Sequence, residues 1–180
     1  NINTHVSQEA TKTMISKGAF TKNDIITVYN GIDLSKFKSN SKDIKLNIDP
    51  LSIIAVGSLS DPKDYPNLIN AFAIFKKNNN SNIKLNIVGD GELRPQIEAQ
   101  IKELKLDKDI TLLGRRSDIP KLLNAADIFV LSSKYEGLPT VVIEAMACEC
   151  YVVATDCGGS SEILGDTGKL VPIQDSQALA

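Results

Sequence analysis

Short apolar runs alternate along the chain with stretches whose apolar residues recur at helical spacing, the pattern of strands separated by amphipathic helices. Leu51–Val56 is rich in Ile and Val and reads as a buried strand. Within Asp64–Lys77, Leu68, Ile69, Phe72, Ala73 and Phe75 form a helical stripe, with Pro66 tolerated in the first turn. Asn78–Asn82 is a polar loop, and Ile83–Val88 is the next strand. Leu93, Ile97, Ile101 and Leu104 repeat at helical spacing around Pro95. Ile110–Leu113 predicts a strand, and Pro120–Ala126 a short helix capped by Ser117 or Asp118. Ile128–Leu131 has no polar residue, so it predicts a strand covered on both faces. Pro139–Cys148 predicts a helix with Pro139 at its first position and Val142, Ile143, Met146 and Ala147 turned inward. Tyr151–Ala154 is a further strand, followed by Gly158-Gly159.

This alternation implies right-handed crossovers and an α/β fold, a Rossmann-like parallel sheet with helices on both faces. Such sheets bind ligands beyond the carboxyl ends of their strands. The loops that follow strands, 57–63, 89–91, 114–118, 132–140 and 155–161, therefore become the places to search for chemistry. The first part of the chain has a different character. A helical stretch runs from Val6-Ser7 to Lys17, Ile25–Val28 is strand-like, and Asn30-Gly31-Ile32-Asp33 is a turn. Ser39–Lys45 is polar and suits a link between two domains. The chain does not begin with Met, and Asp175–Ala180 reads as the opening of a helix. The expectation is a piece cut from a longer protein, with residues 1–48 the end of one domain plus its linker and 49–180 a second domain truncated at its C-terminus.

Composition narrows the function. The 180 residues carry 20 Lys and Arg against 22 Asp and Glu, a net charge of −2. That balance argues against a nucleic-acid partner, which needs a basic face. No apolar run approaches the ~18–20 residues of a membrane span. Cys148, Cys150 and Cys157 could be read as a thiolate metal site, or as small apolar residues beside a strand in a reducing cytosol. A zinc site would want a fourth ligand, and the single His, His5, is far away in sequence, so the second reading is preferred. No Ser-His-Asp set and no other metal cluster appears in the strand-following loops.

The feature richest in chemistry is Glu136-Gly137-Leu138-Pro139-Thr140-Val141-Val142-Ile143-Glu144. Gly137 allows close backbone approach. The amides of Thr140 and Val141 fall in the first helical turn, unpaired and at the positive end of the helix dipole, a geometry that receives a phosphate. Glu136 sits at the mouth, and Glu144, about one and a half turns in, could accept hydrogen bonds from hydroxyls beside that phosphate. The plainer alternative has Glu136 complementing the dipole and Glu144 on a solvated face. Lys63 follows Gly57-Ser58 at a helix start, where the dipole disfavours a cation and an anionic ligand would resolve the conflict. Gly89-Asp90-Gly91 lacks the third glycine of a dinucleotide fingerprint, since position 94 is Arg. Arg115 and Arg116 after Gly114 could approach a base or an anion, or form a solvated pair. Gly158-Gly159-Ser160 could form an anion nest or serve as flexible punctuation.

Together these residues resemble the retaining, nucleotide-sugar-dependent glycosyltransferases of the GT-B fold, two Rossmann-like domains facing a cleft. The resemblance runs through Val28-Tyr29-Asn30-Gly31-Ile32-Asp33, Val56-Gly57 with Lys63, Ile87–Leu93, Leu113-Gly114-Arg115, the Glu-x7-Glu of Glu136 and Glu144, and Gly158-Gly159 with Glu162. It implies that residues 49–180 are the donor-binding half of the enzyme. It further implies that Glu136 is catalytic and contacts the sugar, and that Glu144 binds the ribose. Lys63 and the amides of Thr140 and Val141 would hold the diphosphate, with Gly57, Ser58, Gly137 and Leu138 around it. Gly114 and Arg115 would meet the base. The donor would be a UDP-, GDP- or ADP-sugar, used as a substrate without metal or cofactor, and the acceptor a glycan or lipid-linked sugar in cell-surface polysaccharide biosynthesis. A cytoplasmic location is implied, with peripheral membrane association through an N-terminal domain.

The chain departs from the family pattern in two places. Many members carry Arg where this chain has Ser58, and its absence removes a charge-assisted contact of roughly 1.5–3 kcal/mol. Glu149 and Tyr151 replace a frequent Gly and Pro, which reads as a change in turn chemistry. Rival readings are a nucleotide-sugar epimerase of the same architecture, a non-catalytic nucleotide-binding module and, more distantly, a dehydrogenase.

Overall fold

The computed structural model describes residues 3–39, 51–79 and 82–180. The boundary at 48/49, most of the polar segment 39–45 and the centre of the 78–82 loop lie outside the described residues. The chain opens with a small βαβ unit, in which β1 (Asn3–His5) and β2 (Ile25–Thr27) pair in parallel around α1 (Gln8–Ser16). The larger part comprises β3 (Leu51–Val56), α2 (Tyr65–Asn78), β4 (Ile83–Val88), α3 (Arg94–Glu103), β5 (Ile110–Gly114) and α4 (Ile119–Ala125). It continues with β6 (Ile128–Leu131), α5 (Thr140–Ala147), β7 (Tyr151–Thr155), α6 (Ser160–Leu164), β8 (Lys169–Val171) and α7 (Ser176–Leu179). Six of these strands form one parallel sheet in the order β5-β4-β3-β6-β7-β8.

Side-chain alternation along the strands builds two cores, one on each face of that sheet. Ile83, Leu85 and Ile87 join Ile69, Phe72 and Ile97 beneath α2 and α3. Ile54, Phe129, Leu131 and Val152 join Leu123, Val142 and Leu164 beneath α4, α5 and α6. Strands buried on both faces have no polar side to show, which is why they read as nearly continuous apolar runs. Pro66 and Pro95 stand in the first turns of α2 and α3, as expected from their missing N–H groups. Asp175 caps α7 through its side chain, in keeping with the helix start read there.

The structure corrects several expectations. Strands β1 and β8 were not predicted, because each has only three residues and β1 is polar. In α5 the buried residues are Val142 and Ala145, followed by Cys148 just past its end. Ile143, Met146 and Ala147 instead line a groove shared with Tyr29, Ile32 and Leu34. The small Ala145 lets the helix lie close to the sheet, so the inward stripe runs through 142, 145 and 148. Pro139 is the capping residue rather than the first helical one. Asp118 precedes α4 but makes no side-chain cap, because its carboxylate is taken in two contacts, both 2.8 Å, by Arg116.

Candidate functional site

The sheet order reverses between β3 and β6. From β3 the chain works outward through β4 to β5, and from β6 outward through β7 to β8. Loops leaving two such strands diverge and leave a crevice at the carboxyl edge. Here that crevice is a cleft of about 360 Å³. Gly57, Ser58 and Lys63 line it from the β3 side, and Glu136, Leu138, Thr140, Val141 and Glu144 from the β6 side. The structure thus gathers eight of the residues singled out from sequence. Gly114 and Arg115 are not among its lining residues, and Gly137 faces a neighbouring hollow beside α1. Phe37, Val56, Ile119 and Pro139 complete the walls.

The charges in the cleft are arranged asymmetrically. Lys63 Nζ donates to Glu136 Oε1 at 2.6 Å, and Ser133 Oγ donates to the same oxygen at 2.7 Å. Both partners are largely withdrawn from solvent, with side chains 22% and 13% exposed. Lys63 ends a 3-10 turn, Asp61–Lys63, and its side chain swings across the cleft, so the dipole conflict read from sequence is relieved by Glu136. Glu144 behaves differently. It is half-buried, its carboxylate has no hydrogen-bond or ion-pair partner among the described residues, and burial pushes that carboxyl above the ordinary glutamate range. Between these groups lies the N-terminus of α5. It carries no side-chain cap, and the Thr140 and Val141 amides have no acceptor among the described residues. A cation, two free amides and an unpartnered carboxylate are therefore presented to one cleft.

Glycine holds both loops in place. A Cβ on Gly89 would lie 1.8 Å from Gly57 O, and one on Gly158 would lie 2.0 Å from Glu136 O. Gly159 N donates to Gly137 O at 2.8 Å. Each glycine pair thus follows an outer strand, β4 or β7, and supports the loop leaving its inner neighbour. Gly158-Gly159 is accordingly packed against the main chain of residues 136–137 and is not loose punctuation. The two loops are also joined to each other. Ser132 Oγ donates to Lys63 O at 2.8 Å, Lys134 N to Pro62 O at 2.8 Å, and Lys134 Nζ to Asp61 Oδ1 at 2.8 Å. Among the described residues, the hydroxyl of Ser58, in the place of a frequent Arg, bonds its neighbour Ser60 at 2.9 Å. Glu149, where Gly is frequent, keeps a left-handed backbone at φ 62.

Sequence reasoning placed Glu162 in the resemblance but gave it no role and no partner. Its carboxylate accepts from Gln8 N at 2.9 Å, Glu9 N at 2.8 Å and Tyr29 Oη at 3.0 Å. It thereby caps α1 from a distant part of the chain. Burial acts to raise its carboxyl, but these hydrogen bonds outweigh it and hold the group below the ordinary glutamate range. A depressed acid contributes stability above its unfolded value, and that contribution is lost as pH falls through the lowered folded value. Glu162→Gln is expected to speed amide exchange at Gln8 and Glu9 roughly tenfold, since an amide side chain cannot accept with both atoms. Exchange at Phe129 and Val152 should stay unchanged. Equal protection at Gln8 in both proteins would rule out the cap.

Other features offer less chemistry. An apolar cavity of about 150 Å³ between the sheet and α2 and α7, lined by residues such as Phe72 and Leu179, brings no charged side chain to a substrate. The three cysteines are buried. Among the described residues no three His, Cys, Asp or Glu side chains converge as metal ligands, and no helix is long and apolar enough to cross a membrane.

Comparison with known proteins agrees with this architecture. The chain is 35% identical over 156 residues to a Campylobacter jejuni N-acetylgalactosamine-N,N'-diacetylbacillosaminyl-diphospho-undecaprenol 4-alpha-N-acetylgalactosaminyltransferase, covering 84% of this chain and 41% of that enzyme. Its fold superposes on Anabaena Alr3699/HepE, solved in complex with UDP and glucose, with a TM-score of 0.85 and 28% identity, over 99% of this chain and 51% of that one. It also superposes on the C-terminal domain of the glycosyl transferase group 1 family protein LpcC from Francisella tularensis, with a TM-score of 0.69 and 27% identity, over 82% and 83% of the two chains. The chain therefore spans about half the length of the longer relatives it matches. Residues 36–180 match the profile of Glycosyl transferases group 1, a stretch that takes in the cleft and every residue lining it. By that match the chain belongs to the glycosyl transferases group 1 family, in the Rossmann-like architecture of a GT-B C-terminal domain.

Proposed function

We propose that the cleft binds a nucleotide-sugar and that the protein transfers the sugar to a glycan or lipid-linked acceptor with retention of anomeric configuration. The observation that carries this reading is the pair of unpaired amides at Thr140 and Val141, set between the Lys63–Glu136 pair and the unpartnered Glu144. A diphosphate fits those amides at the positive end of α5. Glu144 then accepts hydrogen bonds from ribose hydroxyls, which a partly desolvated carboxylate gains from in full. Lys63 divides its charge between Glu136 and the diphosphate and stabilises the leaving group, while Glu136 holds sugar hydroxyls.

In the proposed reaction the bond from the anomeric carbon to the diphosphate breaks, and a bond to the acceptor oxygen forms on the same face. The acceptor proton passes to a diphosphate oxygen. The chain's own work is positioning and charge stabilisation, with no metal called for. Relatives named for undecaprenol-linked substrates, from Campylobacter jejuni and Escherichia coli, support a lipid-linked acceptor and a reaction at the cytoplasmic face of a membrane. The Anabaena complex with UDP supports a uridine nucleotide as the first donor to try.

Calorimetry of this chain with UDP, GDP and ADP tests the reading, and UDP is expected to bind. Glu144→Ala is expected to weaken it roughly tenfold, as hydrogen bonds to a charged acceptor are lost. The pH dependence follows from the raised Glu144 carboxyl. Hydroxyl donors favour its charged form, so affinity should rise as pH climbs through the upper edge of the glutamate range and then level off. Glu144→Gln should flatten that rise. Equal UDP affinity in wild type and Glu144→Ala would remove the residue from the ribose site.

A further inference from the structure

Phe37 comes from the segment that precedes the donor-binding half in sequence, yet it forms one wall of the cleft. Its position is fixed from both sides. Before it, Ser35 N and Ser35 Oγ donate to Asp33 Oδ1 at 2.9 and 2.6 Å, and Phe37 N donates to Asp33 O at 3.0 Å, closing a tight turn. After it, Asn124 Nδ2 of α4 donates to Lys38 O at 3.1 Å. Ser39 Oγ donates to Glu149 Oε2, just past the end of α5, at 2.7 Å. These anchors hold the ring on the core beneath α4 and α5, half-buried, with part of its surface left to the cleft.

The anchors also determine which end of the cleft the ring occupies. Asn124 and Glu149 belong to the α4–α5 side, and Cys148 at the end of α5 accepts from Asn124 Nδ2 at 3.4 Å and faces both the Glu144 carboxylate and the Lys38 main chain. Lys63 and Glu136 lie at the opposite end, ahead of the α5 N-terminus. The cleft therefore runs from a charged end, past free amides, to an end whose lining includes Glu144, Phe37 and Ile119. An apolar ring beside a hydroxyl-accepting carboxylate matches the chemistry of a nucleoside, which is flat and apolar on its faces and polar at its sugar edge. We propose that Phe37 packs against the nucleoside half of the donor, supplying the aromatic wall while Glu144 takes the ribose hydroxyls. This assignment rests on the nucleotide-sugar reading above and adds a residue to it.

The test is calorimetry of this chain with two probes, UDP and inorganic pyrophosphate. Phe37→Leu retains apolar packing on the core but removes the ring. It is expected to weaken UDP about tenfold, in the range of aromatic stacking on a base, and to leave pyrophosphate affinity unchanged. Phe37→Tyr, which restores a ring, is expected to restore UDP affinity. Unchanged UDP affinity in Phe37→Leu would overturn the proposal, as would a parallel loss for both probes, which would indicate a general disturbance of the fold. If wild type binds neither probe, the nucleotide-sugar reading falls and takes this one with it. If wild type binds both and only the Phe37→Leu comparison fails, the reading stands and the Phe37 assignment alone is lost.

Discussion

Gly89→Ala is expected to destabilise the chain by about 2–6 kcal/mol, combining about 1–3 for overpacking and about 1–3 for backbone strain. The added carbon would fall 1.8 Å from Gly57 O, a backbone atom that cannot swing aside, and the residue sits at φ 139. Relief would require the loop carrying Gly57 and Ser58 to withdraw from the cleft, so UDP affinity should fall along with stability. Gly31→Ala is the matching control, because nothing lies within 4 Å of the added carbon. Urea unfolding of the two variants makes the comparison. A Gly89→Ala midpoint equal to that of Gly31→Ala would mean that the two loops do not meet in solution as described.

The second large effect is expected at the ion pair. Lys63→Met leaves the Glu136 carboxylate, only 13% exposed, with Ser133 as its remaining donor, at a cost of about 1–3 kcal/mol. The same change removes the cation proposed for the diphosphate, so UDP affinity should drop at least roughly tenfold. Glu136→Gln in the Lys63→Met background is expected to restore stability, because no unpaired charge remains, but not affinity. Urea unfolding and UDP calorimetry on wild type and the two variants separate the two effects. Recovery of both together would assign Lys63 to structure alone, and recovery of neither would remove the pair as a source of stability.

Much of the fold was legible in the chain because strands β3 and β6 are covered on both faces, so their apolar runs carry the signal themselves, while β4 alternates Ile83, Leu85 and Ile87 with polar Lys84 and Asn86. Strands β1 and β8 were not, since three-residue strands are too short for a period to show. Helix α5 was found, and so was Val142 of its buried stripe, but Ala145 and Cys148 were not. Val142, Ala145 and Cys148 compete with equally apolar Ile143 and Met146, and only packing decides between them. In the cleft, Glu136, Glu144 and the α5 amides could be recognised from their spacing around Pro139. The Lys63–Glu136 contact could not, because residues 73 apart in sequence meet only through the sheet order. Gly89 read as an incomplete dinucleotide fingerprint and Gly158 as an anion nest or punctuation, and their closeness to neighbouring backbone depends on loops from other strands. The contacts of Glu162 and Phe37 could not be read locally, since each acts on an element remote in sequence.

The ties between the loops leaving β3 and β6 have a thermodynamic consequence. Main-chain and side-chain bonds at Pro62, Lys63, Ser132 and Lys134 already hold those loops in register. A ligand entering the cleft meets surfaces that need not be immobilised on arrival, so little of its binding energy goes to chain ordering. Association should accordingly be fast, with a heat capacity change set by the small apolar area covered rather than by coupled folding.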